Sequence, residues 1–125
     1  MVKGIGVDII EIDRIRRNLD ETDGRFAAMV FTDAEVSYCS AKPHPAQHFA
    51  ARFAAKEAVS KALATGWSGA FRWKDVEIVN EPSGLPRVIL HGELSSLLSG
   101  AAIHLSLSHS DSHVVAMAVI EEAGT

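Results

Sequence analysis

The chain has 125 residues, of which 47% are hydrophobic and 22% are charged, and its formal net charge is −4. This length predicts one domain, residues 1–125, and the negative charge gives no general attraction to nucleic acid or to an anionic membrane. No apolar run approaches the roughly 20 residues of a membrane span. The single cysteine, Cys39, excludes an intramolecular disulfide and a zinc site built from cysteines, so we expect a cytoplasmic protein.

The first predicted element is a strand over Val2–Ile10, where most residues follow an apolar pattern. Gly4 and Gly6 remove two side chains from it, which indicates that another backbone or a ligand comes close. Asp8 stands between two apolar residues and points to the opposite face from both. Because aspartate is unfavourable within a β-branched run, Asp8 is either a strand-end residue in water or a functional carboxylate.

Helical patterns follow the strand. Glu11–Leu19 has an apolar stripe that predicts a short helix, and Arg25–Phe31 brings apolar side chains back to the core. Thr32 and Glu35 have the spacing of a capping box, which predicts a helix from Thr32 to about Ser40.

Arginines are frequent in the first of these helical segments and just after it, namely Arg14, Arg16, Arg17 and Arg25. Acidic residues match them in number over the same stretch. The sequence therefore predicts an ordinary solvated face or, at most, a local basic surface.

A central helix is predicted over Ala46–Thr65. It is rich in strong helix formers, Pro43 and Pro45 precede it, and Gly66 follows as a natural C-cap. Apolar residues, mostly alanine, cover nearly all of its sides, which is typical of a helix at the centre of its fold.

Glu57 and Lys61 lie one turn apart on this helix, and Arg52 and Lys56 occupy a separate sector. One interpretation of Glu57 and Lys61 is an ordinary i,i+4 ion pair, stabilising by roughly 0.3–0.5 kcal/mol. The other is a partly buried metal-binding carboxylate with a lysine beside a phosphate. That second interpretation needs another carboxylate, and Asp8 is the natural candidate.

The second half of the chain has strand patterns. The predicted elements are strands around Val76–Ile78 and Leu85–Leu90, a helix or turn over Gly92–Ser99, and a hairpin of Ile103–Leu107 with Val114–Ile120. Helices in the first half and antiparallel strands in the second predict an α+β fold.

The polar strand end Ser108-His109-Ser110 completes a candidate site with Asp8, Glu57 and Lys61. Two carboxylates, with waters and a substrate phosphate, are a usual way to hold Mg²⁺. Lysine, serine and imidazole suit phosphate oxygens. The sequence has neither GxxxxGK[ST] nor GxGxxG, which excludes the phosphate loops of the common nucleotide-binding folds.

Three segments resemble the signature blocks of the 4′-phosphopantetheinyl transferases: GIGVDIIEIDRI at Gly4–Ile15, RFAAKEAVSKAL at Arg52–Leu63, and SLSHS at Ser106–Ser110. Their order and spacing, and the chain length, are similar to the small stand-alone bacterial members, the holo-[acyl-carrier-protein] synthase type. The resemblance implies an α+β fold with a long central helix on a small antiparallel sheet, assembled as a homotrimer with active sites shared between subunits.

The resemblance also implies an activity. Family members transfer 4′-phosphopantetheine from coenzyme A to a serine of apo-acyl carrier protein, release adenosine 3′,5′-bisphosphate and support fatty acid biosynthesis. Mg²⁺, or Mn²⁺ in its place, is the implied cofactor. The base that takes the serine proton stays open between Glu57 and a metal-bound water.

Residue roles follow from matching positions. The resemblance implies that Asp8 and Glu57 bind the metal and that Lys61 neutralises or protonates the leaving phosphate. The implied coenzyme-binding residues are Arg52, Gly66, Pro86, Ser108, His109 and Ser110. The implied carrier-protein surface contains Arg14, Arg25 and Phe26. Basic residues that often precede the central helix in the family are replaced here, and either Lys42 or His44 could take their place at the coenzyme 3′-phosphate.

Two other functions are compatible with the same residues. A metal-dependent hydrolase of nucleotide pyrophosphates would use the two carboxylates with water as the nucleophile. A non-catalytic coenzyme-binding trimer is less favoured, because Asp8, Glu57 and Lys61 are all present.

Overall fold

The computed structural model of the chain describes residues 1–64 and 71–122. The helices are α1 (Ile12–Glu21), α2 (Arg25–Val30), α3 (Asp33–Ser40), α4 (Pro45–Leu63) and α5 (Gly92–Leu97). The strands are β1 (Val2–Glu11), β2 (Val76–Asn80), β3 (Pro86–Leu90), β4 (Ala101–His109) and β5 (His113–Glu122), and a 3-10 turn covers Trp73–Asp75.

The predicted α+β class is confirmed, and the elements lie close to their predicted bounds. The central helix α4 begins at Pro45, where proline suits the first helical position, and it ends at Leu63. Thr65 and Gly66, the predicted last residue and C-cap, lie outside the described residues. None of the helices within residues 1–64 and 71–122 is both long enough and apolar enough to cross a membrane.

The strands form two antiparallel sheets rather than one. The larger sheet has the order β1-β5-β4, and β2 pairs with β3 in a separate hairpin. In the larger sheet, Asp8 is opposite Ala116, which is opposite Leu107 on its other side. Helix α4 packs against β1 and β5 and also contacts β2, so it lies between the two sheets.

Backbone-to-backbone contact joins β1 to α4. A Cβ atom added at Gly4 would collide with the carbonyl of Ala62, and one added at Gly6 would collide with the carbonyl of Ala58. The predicted close approach at these glycines is thus made by the central helix. It also explains the alanines of α4, because larger side chains would hold the helix away from the strand.

The two faces of the larger sheet differ in exposure. The inner face, towards α4, buries Ile10 and the β5 residues Val114, Ala116, Ala118 and Ile120. The apolar pattern of β1 lies on the outer face, where Ile5, Val7 and Ile9 are 63%, 55% and 61% exposed. Met117 of β5 adds to this face and is 44% exposed. Asp8 alternates with these residues and therefore faces α4, as its position in the sequence predicted.

The capping box before α3 is confirmed. Thr32 Oγ1 accepts a hydrogen bond from Glu35 N, and Thr32 N donates to Glu35 Oε1. Later in α3, Cys39 is fully buried, and this burial raises the pKa of its thiol to about 11. Cys39 is therefore an unreactive core residue.

Candidate functional site

Asp8 and Lys61 meet where β1 packs on α4. Lys61 Nζ donates to Asp8 Oδ1 at 2.8 Å and to the carbonyl of Val7 at 3.1 Å. The hydrogen bond to Asp8 is the main reason that the pKa of Lys61 is raised. The second carboxylate oxygen, Asp8 Oδ2, is buried and has no hydrogen-bond partner among the described residues.

Glu57 lies one turn before Lys61 and is half-buried, as predicted. Burial raises the pKa of Glu57 and the negative charge of Asp8 adds to the rise, while Lys61 and Arg14 oppose it. Within the described residues, Lys61 forms its ion pair with Asp8. The simple i,i+4 pair of Glu57 and Lys61 is therefore not the arrangement that the fold adopts.

The donor set fits a hard divalent cation. Two carboxylates repel each other across the β1–α4 contact, and one of their oxygens, Asp8 Oδ2, is buried and unsatisfied. A cation at this position would satisfy that oxygen and remove the repulsion. Across residues 1–64 and 71–122 no group of three or more potential metal-binding side chains occurs. Mg²⁺ commonly binds in this way, with one or two carboxylates and several waters or substrate oxygens.

Asn80 links Arg52 to Pro86. Arg52 is 4% exposed and donates from Nη2 to Asn80 Oδ1 at 2.9 Å. Asn80 is paired with Pro86 in the β2–β3 hairpin, and its side chain also donates to the carbonyl of Gly84. Two predicted coenzyme-binding residues thus share one neighbourhood, on the side of α4 that faces the smaller sheet.

Positive side chains gather around Tyr38 near the start of α4. Lys42 Nζ lies 4.5 Å and the Arg52 guanidinium 4.2 Å from the centre of the Tyr38 ring. The His48 ring packs edge-on against the same tyrosine at 6.2 Å. Burial, and then the charges of Lys42 and Arg52, lower the pKa of His48. An anion placed here would meet two cationic groups, those of Lys42 and Arg52.

His109 and Ser110 lie at the end of the β4–β5 hairpin. His109 Nε2 is 3.3 Å from Gln47 Nε2, which places its ring at the first turn of α4. Ser110 Oγ accepts from the backbone N–H groups of Ser112 and His113 and so closes the hairpin turn.

Ser108 is on the outer face of the sheet, and it shares an open cavity with the residues that follow it. Ser108, His109 and Ser110 line this cavity of about 420 Å³ together with Ile9, His113 and Val115. The structure thus brings these three predicted coenzyme-binding residues together, while Arg52 and Pro86 lie beside the smaller sheet. Gly66, the remaining member of that set, lies outside the described residues.

The predicted carrier-protein surface is only partly exposed. Arg14 and Arg25 are exposed, and Arg25 Nε donates to the carbonyl of Thr22, which holds the side chain at the α1–α2 junction. Phe26 is half-buried, with its ring centre 5.7 Å from that of Phe53. Met29, one turn after Arg25, is 60% exposed and is the more accessible apolar residue of α2.

Sequence reasoning assigned no functional role to Asn80, Tyr38 or Met29. It counted Met29 among the apolar side chains of Arg25–Phe31 that return to the core, and this was wrong, because Met29 is 60% exposed. Each acquires its place through tertiary contact: Asn80 and Tyr38 contact Arg52, and Met29 shares an exposed helix face with Arg25. Only Met29 had a local signal, an apolar residue four positions after an arginine.

Comparison with known proteins identifies the family. The family model described as the 4′-phosphopantetheinyl transferase superfamily matches residues 4–118. The chain belongs to this superfamily, and the predicted class of enzyme, a phosphopantetheinyl transferase, is confirmed.

Relatives match over almost the full length. A protein of Geotalea daltonii named holo-[acyl-carrier-protein] synthase is 47% identical over 125 residues, covering 98% of this chain and 100% of the relative. A protein of the same name from Koribacter versatilis is 40% identical, with the same coverage of both chains.

Solved structures are similar as well. The holo-[acyl-carrier-protein] synthase of Neisseria meningitidis has a TM-score of 0.88 and 33% identity, covering 98% of this chain and 100% of that one. The enzyme of Bacillus anthracis, solved in complex with CoA (3′,5′-ADP), has a TM-score of 0.80 and 35% identity, covering 98% and 99%.

Proposed function

We propose that this protein is a holo-[acyl-carrier-protein] synthase, which transfers 4′-phosphopantetheine from coenzyme A to a serine of apo-acyl carrier protein and releases adenosine 3′,5′-bisphosphate. The observation that carries the proposal is the contact of β1 with α4. It gathers two carboxylates and a lysine at one position and leaves Asp8 Oδ2 buried and unsatisfied. The names of the full-length relatives and the coenzyme complex of a related structure support it.

Asp8 and Glu57 would hold Mg²⁺, or Mn²⁺ in its place. When bound, such an ion offsets the negative charge of a pyrophosphate and stabilises the charge of an in-line phosphoryl transfer. The pair fits this task because its own repulsion is relieved by a cation.

Two side chains of the site, Lys61 and Glu57, would stabilise charge and transfer protons during the reaction. The serine oxygen of the carrier attacks the β-phosphorus of coenzyme A, and the bond from that phosphorus to the bridging oxygen breaks. The electron pair leaves with adenosine 3′,5′-bisphosphate. Lys61, protonated and 52% exposed, is placed to neutralise or protonate this leaving group. Glu57 is a candidate base for the serine proton, since burial and the charge of Asp8 raise its pKa.

The coenzyme itself would be held by the residues of the α4 start and the two hairpins. Arg52 and Pro86 lie near the smaller sheet, and Ser108, His109 and Ser110 lie at the β4–β5 turn. The cationic group around Tyr38 suits a phosphate, and its lysine, Lys42, is half-buried. We assign the coenzyme 3′-phosphate to this group.

We further propose a homotrimer with active sites shared between subunits. The exposed apolar face of the larger sheet supports this assembly, because burying the exposed part of Ile5, Val7 and Ile9 would stabilise it by roughly 1–2 kcal/mol for each residue. Ser108 opens onto that outer face, whereas Asp8 lies on the inner one. This division supports a coenzyme site to which neighbouring copies contribute.

Arg14, Arg25 and Phe26 would form the carrier-protein surface, with Met29 beside them. Among the four arginines of this region, Arg16 is paired with Asp13, and no ion pair involves the others within the described residues. A carrier with an acidic helix would meet this local field even though the enzyme is acidic overall. The activity would support fatty acid biosynthesis in the cytoplasm.

The test is intact mass spectrometry of an apo-acyl carrier protein incubated with this protein, coenzyme A and Mg²⁺. We expect the carrier to gain the mass of one phosphopantetheine arm, and a chelator to abolish the gain. Release of adenosine 3′,5′-bisphosphate from coenzyme A without a carrier would instead indicate a hydrolase. Coenzyme binding without either reaction would indicate a binding protein.

A further inference from the structure

Helix α4 presents functional residues on two opposite sides. Glu57 and Lys61 face β1, and Arg52 and Lys56 face α3 and β2. Lys56 directly precedes Glu57 in the chain, yet it plays no part in the chemistry proposed above. Its side chain is fully buried in the described structure.

Lys56 forms a buried ion pair. Its Nζ lies 2.8 Å from Glu35 Oε1, with both side chains 0% exposed, and donates to the carbonyl of Trp73 at 2.9 Å. The partner Glu35 also accepts from Ile78 N at 2.9 Å and from Thr32 N. The pair therefore ties α4 to α3, β2 and the 3-10 turn at once.

Stability alone is a poor explanation for this pair. Desolvation of two charges offsets much of their attraction, and well-packed apolar side chains often replace a buried ion pair without loss. A polar contact of fixed geometry does supply one thing that apolar packing does not, namely a defined orientation.

Polar contacts restrain the opposite side of α4 less strongly. There the helix touches Gly4 and Gly6 through its own backbone and alanines, which sets how close the strand comes. The polar contact on that side is made by Lys61, which donates to Asp8 Oδ1 and to the carbonyl of Val7. Because Lys61 is 52% exposed, water competes for these bonds, whereas both partners of the Lys56–Glu35 pair are fully buried.

We infer that the buried Lys56–Glu35 pair fixes the rotation of α4 about its axis, and that it thereby positions the neighbouring Glu57 against Asp8. Lys56 and Glu35 are positioning residues, since neither contacts the site. The inference rests on the proposed function, from which the role of Glu57 as a metal ligand is taken. Small displacements matter here, because an error of about 1 Å in a reacting group can cost ~10²-fold in rate.

The test compares Lys56→Met with Val59→Ala. Val59 is fully buried on the same helix, so its truncation loosens the packing of α4 without touching the polar network. The readout is Mn²⁺ binding to the folded, resting protein, followed by electron paramagnetic resonance, with Glu57→Gln as the reference that lacks a ligand. We expect Lys56→Met to raise the Mn²⁺ dissociation constant about tenfold. This is the low end of the loss in affinity that is typical when a residue that orients a metal ligand is changed. Val59→Ala should change it less than twofold.

A second variant covers the case in which Lys56→Met does not fold. Glu35→Gln keeps the shape of the side chain and removes its charge, and it should weaken Mn²⁺ binding in the same direction. Equal dissociation constants for Glu35→Gln, Lys56→Met and Val59→Ala would overturn the inference, as would a wild-type protein that binds no Mn²⁺. Failure of the proposed function is seen separately, because wild-type protein would then transfer no phosphopantetheine.

Discussion

Lys61 binds one oxygen of Asp8 and leaves the other free. The hydrogen bond from Nζ to Oδ1 is 2.8 Å long, and Oδ2 is buried without a partner in the described part of the chain. Lys61 thus balances the charge of Asp8, while the charge of Glu57 remains. Two carboxylates and one ammonium leave one net negative charge, and a divalent cation would make the site positive, as binding of a pyrophosphate requires.

Glu57→Gln should lower turnover by at least ~10²-fold and leave the fold intact. The amide keeps the size of the side chain but removes the charge that attracts the metal. The measurement is the rate of carrier modification at saturating substrates, with thermal unfolding as the check on folding. Glu93→Gln, an exposed position on α5, is the control with the same chemical change. Near-normal turnover of Glu57→Gln would contradict the metal assignment.

Lys61→Ala should reduce kcat about 10²-fold and change coenzyme A affinity much less, because the lysine acts on the leaving phosphate in the transition state. Steady-state kinetics and the coenzyme dissociation constant separate the two effects. Lys61→Arg should recover part of the rate, since it keeps the positive charge. A loss of affinity with unchanged kcat would make Lys61 a binding residue only.

Arg25→Glu should raise the KM for carrier protein about tenfold or more, with a weaker salt dependence, and leave coenzyme A binding unchanged. Arg25 is preferable to Arg14 for this test, because the charge of Arg14 also acts on Glu57. Arg16→Glu is the matched control: it makes the same charge change on α1, where the wild-type charge is already paired with Asp13. Equal effects of the two variants would contradict a specific role of Arg25.

Val7→Asp should prevent assembly, because it would bury a charge in the apolar outer face of the larger sheet. Sedimentation velocity is the measurement, and we expect a trimer for the wild type and a monomer for the variant. Ser37→Asp adds the same charge at an exposed position of α3 and should remain a trimer. A monomeric wild type would contradict the proposed assembly.

The imidazole of His48 should take up a proton when the coenzyme binds. Burial and nearby cations hold the pKa of His48 below the ordinary value of about 6.5, so the ring is neutral at pH 7. A phosphate beside Lys42 and Arg52 would favour the charged ring and raise that pKa. Titration by NMR with and without adenosine 3′,5′-bisphosphate measures the change, with the chemical shifts of the His91 ring as the unaffected control. An unchanged His48 titration would place the 3′-phosphate elsewhere.

The local patterns of the sequence predicted the elements well. The capping box at Thr32, the proline at the start of α4 and the alternation of β4 each act over a few residues, and the structure confirms them. The closeness of Asp8 and Lys61 was also predictable in outline. The two glycines before Asp8 indicate a tight contact, and the alanines of α4 allow this helix to make it.

Long-range polar contacts were not predictable in this way. Arg52 donates a hydrogen bond to Asn80, and Glu35 binds both Lys56 and the backbone N–H of Ile78. These partners are far apart in the sequence. The hydrophobic periodicity of the sequence cannot indicate such pairs, because each depends on how α4 packs between the two sheets. The outer position of Val7 and Ile9 is a further case: an apolar run indicates burial, but a single chain leaves these residues in solvent.

At the two glycines of β1, contact between main-chain atoms sets the distance between this strand and α4. Since the carbonyl groups of Ala58 and Ala62 fill the places where side chains of Gly4 and Gly6 would stand, the gap between strand and helix contains no side chain that could be resized. The distance between β1 and α4 therefore depends on contact between main-chain atoms and not on the volume of a side chain at these two positions. One added methyl group at Gly6 would push the strand from the helix and separate Asp8 from Glu57.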